Sequence, residues 1–377
     1  MKILSLFANI GVAEAYLTEL GLEVSIANEI VKRRADLYKK IYPNVDMICG
    51  DITNESTYKS ILEKSRKNII DVVIATPPCQ GMSRAAGVPK DDDERNNLIL
   101  PVLDIITDLE PKYVFIENVK RILDIEVLYK NKYYLVSDLI KIRFSKKYHI
   151  EINTIDTKYY SIPQTRIRAI ILMSRIDSKK IWKIPPKDNK IVTLREIIGE
   201  IPTLDPFIID VTEKERLEIF PHYYQRENQA LNYSKWHKPP HHIKRQVVAM
   251  TYTPSGRTAF ENKKHFPKKA SGQKVKGYLS TYRRLNWDAP ASTVTMDNRK
   301  ISSQNNVHPG RLIGTDFTGE TMYSDARALT IYELMRVMTL PLDWPIPAVT
   351  PEAFLRSIIG EGIPPLFLKK VFENLLK

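Results

Sequence analysis

Short β-branched apolar runs alternate with stretches of helical period through the first half of the chain. The sharpest run, residues 69–76, stops dead at Pro77-Pro78-Cys79. Val72, Val73 and Ile74 suit a strand covered on both faces, and two prolines that donate no ladder hydrogen bonds end it. Cys79 is thereby expected on a loop at a carboxyl strand end. The same reading places strands at 3–8, 23–28, 45–49 and 113–116. Helices are expected at 12–20 closed by Gly21, at 30–42 stopped by Pro43, and at 56–65 and 97–109. A helix over 127–144 and extended runs over 151–156 and 168–174 complete the set. This βαβ rhythm predicts an α/β fold, a doubly wound, mostly parallel Rossmann-like sheet. After Arg175 prolines crowd in and long apolar periods vanish, which predicts a second, smaller, irregular and β-rich domain. Helical spacing returns at 328–338, as an amphipathic helix, and at 365–376.

Composition narrows the class. A chain of 377 residues with 43% apolar and 27% charged content is that of a globular protein with room for two domains. No apolar run approaches the roughly 20 residues that span a bilayer, and the N-terminus lacks a signal-peptide pattern, so a cytoplasmic location away from membranes is expected. The only cysteines, Cys49 and Cys79, form no C-x-x-C pair and offer neither a disulfide framework nor a cysteine zinc site. The net charge of +13 is confined to one window. Residues 235–311 hold 16 Lys/Arg against the three acids Glu261, Asp288 and Asp297, while the remainder balances at 41 of each sign. Such clustering fits a polyanion such as nucleic acid, or else a solvated lysine-rich face.

Candidate chemistry gathers where the strands are expected to end. Phe7-Ala8-Asn9-Ile10-Gly11 reads as a strand-to-helix turn offering free N–H groups to an anion. Glu29 stands where carboxylates take ribose hydroxyls in dinucleotide folds, and equally as a solvated loop acid. Asp51 suits an exocyclic amine or a helix N-cap. Cys79 is a candidate nucleophile or a small buried hydrophobe. Glu117-Asn118 ends the neighbouring strand, and Gln164-x-Arg166-x-Arg168 places three polar side chains on one face of another, two of them guanidiniums able to brace Glu117.

In order, these residues resemble the DNA (cytosine-5)-methyltransferases of bacterial restriction-modification systems. The set comprises Phe7-Ala8-x-x-Gly11, Ala27-Asn28-Glu29, Gly50-Asp51-Ile52, Pro77-Pro78-Cys79-Gln80, Glu117-Asn118-Val119 and Gln164-Thr165-Arg166-Ile167-Arg168. It continues with Arg283-Arg284-Leu285-Asn286-Trp287-Asp288-x-Pro290-Ala291-x-Thr293-Val294-Thr295, then Arg327-x-Leu329-Thr330-x-x-Glu333 and Gly360-x-Gly362-Ile363-Pro364. The resemblance implies methyl transfer from S-adenosylmethionine, leaving S-adenosylhomocysteine, to carbon 5 of a flipped-out cytosine in a specific duplex sequence, with no metal. An RNA cytosine methyltransferase and a non-catalytic DNA-binding relative are the alternatives.

By that resemblance Cys79 attacks carbon 6, Glu117 stabilises protonation at ring nitrogen 3, Arg168 holds the base carbonyl and Arg166 buttresses Glu117. Phe7 and Gly11 contact the donor, Glu29 binds its ribose, Ile30 packs on adenine and Asp51 receives the adenine amine. Asn9, Ile10, Ile52, Pro78 and Glu361 stand beside them. A lid from Gln80 toward Asn97, hinged at Gly81 and Gly87, is expected to bring Ser83 and Arg84 to phosphate; from the charge window, Lys263, Lys264, Lys268 and Lys269 are expected on phosphate, and Arg257 in its Pro/Gly loop on a base edge or on another phosphate. Two residues depart from the family: Asn9 replaces its usual glycine and Glu361 its usual asparagine. Residues 1–180 with 350–377 are expected to form a discontinuous catalytic domain, 181–325 the target-recognition domain and 326–349 a connecting helix. A monomer with a separately acting cognate endonuclease is expected.

Overall fold

The computed structural model describes residues 1–78, 94–277, 280–302 and 304–377. Five parallel strands, β1 (Lys2–Leu6), β2 (Glu23–Glu29), β3 (Asp46–Cys49), β4 (Val72–Ala75) and β5 (Tyr113–Asn118), alternate with helices α1 (Lys32–Ile41), α2 (Glu55–Asn68) and α3 (Ile99–Leu109). A hairpin β6 (Glu126–Tyr129) and β7 (Lys132–Leu135) and helix α4 (Val136–Phe144) lead to β8 (Tyr148–Asp156) and β9 (Ile167–Arg175). Among the described residues the main sheet has seven strands in the order β3-β2-β1-β4-β5-β9-β8, with β9 antiparallel to both neighbours. The mostly parallel, doubly wound expectation holds.

Alternation along the buried strands feeds two cores. Leu4, Leu6, Val73, Ala75, Val114 and Ile116 pack on one face against α2, α3 and α4. Ile3, Val72, Ile74, Phe115 and Leu172 turn to the other face, which is covered by Trp182 and by the last helix, α11 (Pro365–Leu376), through Phe367, Leu368, Val371 and Phe372. Trp182 Nε1 donates to the Val371 carbonyl at 2.8 Å. The end of the chain therefore closes the core that its beginning opens.

Three expectations need correction. Residues 12–20 form no α-helix: they run as turns ending in a short 3-10 turn, Thr18–Leu20, capped by Gly21 at φ 69°. Burial explains the loss, because Val12 and Leu17 enter different cores and Glu14 turns inward to Ser5, a pattern that no single helical stripe satisfies. Residues 126–135 are the β6/β7 hairpin, turned by Lys130 and Asn131 at φ 49° and 61°, the double positive-φ geometry of a tight hairpin turn. The stretch expected to be β-rich is irregular but carries more helix than strand. It holds α5 (Leu194–Ile198), α6 (Glu213–Ile219), α7 (Tyr223–Tyr233) and α8 (Lys244–Thr251). Among the described residues its strands form two short pairs, β10 (Phe207–Ile208) with β11 (His241–His242), and β12 (Leu312–Thr315) with β13 (Thr321–Tyr323).

Helix α9 (Ile331–Val337) begins on a capping box in which Thr330 and Glu333 satisfy each other's main-chain N–H. It is buried almost all round rather than amphipathic, and α10 (Glu352–Glu361) packs beside it. Among the described residues no helix is long and apolar enough to cross a membrane.

Burial pushes the Glu14 carboxyl up to about 7, opposed by the hydroxyl that Ser5 donates to it. Its folded pKa exceeds its unfolded one, so ionisation costs stability progressively as pH rises from about 4.5 to 7, reaching about 3 kcal/mol above that. Glu14→Gln should therefore match wild type in thermal melts at about pH 5 and melt higher at about pH 8.5. A variant that melts lower at the alkaline pH contradicts the assignment.

Candidate active site

Strand order reverses between β1 and β4, and ligands in open α/β sheets bind outside the carboxyl ends of the strands at that point. The loop leaving β1 is held in unusual geometry, with Phe7, Asn9 and Gly11 at φ 57°, 51° and 81°. A side chain at Gly11 would lie 2.1 Å from the Tyr42 ring, whose hydroxyl donates to the Gly11 carbonyl at 2.6 Å. This glycine thus serves packing against α1. No helix starts here, and two of the loop N–H groups are taken within the protein: Ala8 N–H donates to the Asn28 carbonyl and Asn9 N–H to Glu29 Oε2, each at 2.9 Å.

Glu29 is buried and uses both oxygens, Oε1 taking the Val31 N–H at 2.8 Å. It thereby locks the ends of β1 and β2 together. Asn28 extends the lock to β3 by donating to the carbonyls of Ile48 and Gly50, each at 3.0 Å. Asp51 does not cap α2; its Oδ1 receives both the N–H and the hydroxyl of Thr53, which leaves Oδ2 without a protein donor among the described residues. Ile30 is an apolar side chain 59% exposed at this rim, whereas Ile10 and Ile52 are buried in the core and can offer a ligand only main chain.

Next along the rim, the Thr76 hydroxyl donates to the Phe7 carbonyl at 3.2 Å and Asn118 Nδ2 to the Pro77 carbonyl at 3.0 Å. The approach to Cys79 through Pro78 is thus fixed to both neighbouring strands. Cys79, Gly81, Ser83, Arg84 and Gly87 lie outside the described residues. Glu117, nearly buried at the end of β5, pairs with Arg168 Nε at 2.8 Å.

The pairing differs from the expected one, in which Arg166 buttresses Glu117. Arg166 is buried and donates to the carbonyls of Val294 at 2.9 Å, Glu361 at 3.1 Å and Gly360 at 3.3 Å. Main-chain acceptors from two distant segments thus engage its guanidinium. Gln164 Oε1 accepts the Val294 N–H at 3.0 Å, and Thr165 N–H reaches Ala291 O at 2.8 Å, so residues 291–295 dock onto 163–166. A Cβ at Gly360 would meet Thr295 O at 2.1 Å and one at Gly362 would meet Val12 at 2.8 Å. The Gly-x-Gly motif is a close-packing device that brings Glu361 to the rim.

Not all of the basic window is surface. Arg284 is fully buried and donates to the carbonyls of Met250, His308, Ser324 and Asp325 at 2.8–3.1 Å, and burial pushes its pKa down to about 9. Arg311 pairs with Asp325 at 3.0 Å, and Arg327 bridges Asp325 and Glu333, each at 2.8 Å. Burial works to raise both carboxylates, but the Arg327 cation, joined by Arg311 at Asp325, holds them well below the usual range. Lys263, Lys264, Lys268 and Lys269 are exposed, as is Arg257, which follows Gly256 in a turn and lies 3.5 Å from Glu261. The loop carrying the lysines is braced to the β12/β13 hairpin. Tyr252 stacks on His265 at 3.7 Å and donates to Asp316, and His265 lies 3.1 Å from Glu320.

A doubly wound sheet with carboxylates at successive strand ends, and the Pro77-Pro78 lead leaving β4 at the switch point, defines a Rossmann-like α/β fold with its ligand-binding edge there. The chain belongs to the C-5 cytosine-specific DNA methylase family, whose sequence model matches residues 1–377. It is 42% identical to the type II methyltransferase M1.HgaI of Avibacterium volantium, over 99% of this chain and 97% of that one. With M1.HphI of Haemophilus parahaemolyticus it shares 23% over 100% and 87% of the two chains. The fold matches the Entamoeba histolytica methyltransferase EhMeth with a TM-score of 0.61 at 14% identity, over 100% of this chain and 98% of that one. The protein is thus an S-adenosylmethionine-dependent methyltransferase acting on cytosine in DNA.

The rim suits that donor. Asn9 Oδ1 is buried without a hydrogen-bond partner, an acceptor for an ammonium group, and Ile30, directly after Glu29, offers an exposed apolar side chain. Sequence reasoning missed Arg34, whose guanidinium pairs with Glu361, because it belongs to no motif.

Proposed function

We propose that this rim methylates carbon 5 of a cytosine flipped out of one specific duplex sequence, with Cys79 as nucleophile and Glu117 as the group that stabilises protonation at ring nitrogen 3. The observation that carries the reading is the nearly buried Glu117–Arg168 pair, set beside a Pro77-Pro78 lead tied to the same strand by Asn118. Carbon 5 of cytosine becomes nucleophilic only once a group adds at carbon 6. A thiolate arriving from the end of β4 suits that addition, and Glu117 opposes the build-up of negative charge on the ring. Arg168 orients Glu117 and stands ready for the base carbonyl. Arg166 acts through the main chain of residues 294 and 360–361 as a positioning residue.

S-adenosylmethionine supplies an already electrophilic methyl group, so the chemistry calls for no metal, and S-adenosylhomocysteine is the product. Phe7, Asn9, Ile10, Gly11, Glu29, Ile30, Asp51, Ile52, Pro78 and Glu361 form its surroundings. The division into a catalytic domain at 1–180 with 350–377, a target-recognition domain at 181–325 and a connector at 326–349 is supported by α11 covering the sheet and by the separate hub on Arg284. Duplex DNA is gripped by Ser83, Arg84, Arg257 and the exposed lysines. The type II names of the relatives support a restriction-modification role; a cytoplasmic monomer beside a separately acting endonuclease completes the proposal.

Cys79→Ser should abolish methyl transfer and covalent trapping on 5-fluorocytosine DNA while leaving DNA binding intact. Glu117→Gln should slow transfer by about 10²-fold or more. Trapping by the serine variant, or a wild-type rate in the glutamine variant, would refute the respective role.

The basic window should separate by burial. Replacing Lys263, Lys264, Lys268 and Lys269 by Gln should leave the melting temperature unchanged and flatten the dependence of log affinity on log salt, by about 0.9 per lost phosphate contact. Arg284→Met should instead destabilise the fold by about 3 kcal/mol or more, since it strands several buried carbonyls. Equal salt slopes for wild type and the four-lysine variant would reduce the cluster to solvated surface.

A further inference from the structure

Asn9 and Glu361, the two departures from the family's usual residues, stand 352 positions apart and meet in space. Asn9 Nδ2 lies 3.3 Å from Glu361 Oε2 and 3.5 Å from the Ile358 carbonyl. The main-chain N–H of the same residue donates to Glu29 Oε2 at 2.9 Å. Asn9 is thus held between two carboxylates, one from the end of β2 and one from the end of α10. Arg34 of α1 pairs with the Glu361 carboxylate at 2.9 Å, with both side chains about one-fifth exposed, while Arg166 takes only the main-chain carbonyls of residues 360 and 361. Burial raises the Glu361 pKa, Arg34 opposes that rise, and the charge of Glu29 reinforces it.

The formal charge of Glu29, Glu361 and Arg34 together is minus one. With asparagine at position 361 it would be zero, because Arg34 would then balance Glu29 alone. In a partly buried setting one unit of charge acts over several ångströms without direct contact. The methyl donor and its product differ by that unit, since sulfur is a cationic sulfonium in one and a neutral thioether in the other.

We propose that Glu361, held by Asn9 and Arg34, makes the cofactor pocket read the charge on sulfur, so that it retains the cationic donor and releases the neutral product. The inference rests on the placement of the cofactor at the ends of β1 and β2. Asn9 takes both parts of the work: its Nδ2 fixes the Glu361 carboxylate, while its buried, unpartnered Oδ1 is an acceptor for the ligand's ammonium. The consequence is weak product inhibition. Arg34 keeps the carboxylate from being an uncompensated buried charge, which is why position 361 tolerates an acid at all.

Calorimetric titration of wild type, Glu361→Gln and Glu361→Asn with two non-reacting ligands tests this. S-adenosylhomocysteine is neutral at sulfur, and sinefungin carries an amine, protonated near neutral pH, in place of the methylsulfonium. Wild type should favour sinefungin, and the ratio of the two dissociation constants should fall about five- to tenfold in both variants. The asparagine variant restores the family's usual residue and guards against misfolding of the other. A ratio unchanged within twofold, or equal weakening of both ligands, overturns the inference and leaves Glu361 as a structural partner of Arg34. Failure of wild type to bind either ligand overturns it together with the cofactor placement on which it rests.

Discussion

The buried guanidinium of Arg166 is the contact on which the arrangement of both sites depends. It stands just before β9, donates to carbonyls at 294, 360 and 361, and so joins the sheet, a segment within the basic window and the returning C-terminal helices. Charge-assisted bonds to main chain in a buried setting are costly to lose, because each abandoned carbonyl keeps its desolvation penalty. Close packing at Gly360 and Gly362 completes the seam. Chain ends that are remote in sequence thereby complete a rim that the first strands only begin.

Around that seam the strand ends are cross-tied rather than left as separate loops. Glu29 binds the main chain after β1 and β2, Asn28 the main chain after β3, Thr76 the loop after β1, and Asn118 the proline lead after β4. Each tie uses a side chain at or beside a strand terminus. The result is a preorganised edge on which a donor and a base can be placed with little further ordering, the condition under which proximity and electrostatics contribute most to rate. The Glu117–Arg168 pair sits inside this edge with its geometry already set.

Strands covered on both faces were plain in the sequence, because continuous β-branched runs ending in Pro or Asn have few other readings. The site was legible for the same reason: Glu29, Asp51, Pro78 and Glu117 all stand at strand ends. What escaped was long-range or conformational. Lys130-Asn131 turns a hairpin without glycine, so a run of tyrosines and lysines passed for helix. Residues 12–20 have helical spacing, yet Glu14 turns inward and the segment is divided between two cores. Charge counting treated Arg284 and Arg311 like the exposed lysines, since burial leaves no trace in composition. Arg34 looked like one more cation on a basic helix. The exchange of partners between Arg166 and Arg168 followed from carbonyls more than 120 residues away, which no local pattern reports.

Arg166 joins the two ends of the chain, and under the proposed function Arg168 serves Glu117 at the reacting base. Binding of S-adenosylhomocysteine to Arg166→Lys and Arg168→Lys, measured beside single-turnover methyl transfer, separates these roles. Arg166→Lys should weaken the ligand by about tenfold or more through the displaced 360–361 segment. Arg168→Lys should bind it as wild type does while transferring slowly. Wild-type ligand affinity in a folded Arg166→Lys protein would contradict the claim that this one guanidinium assembles the rim.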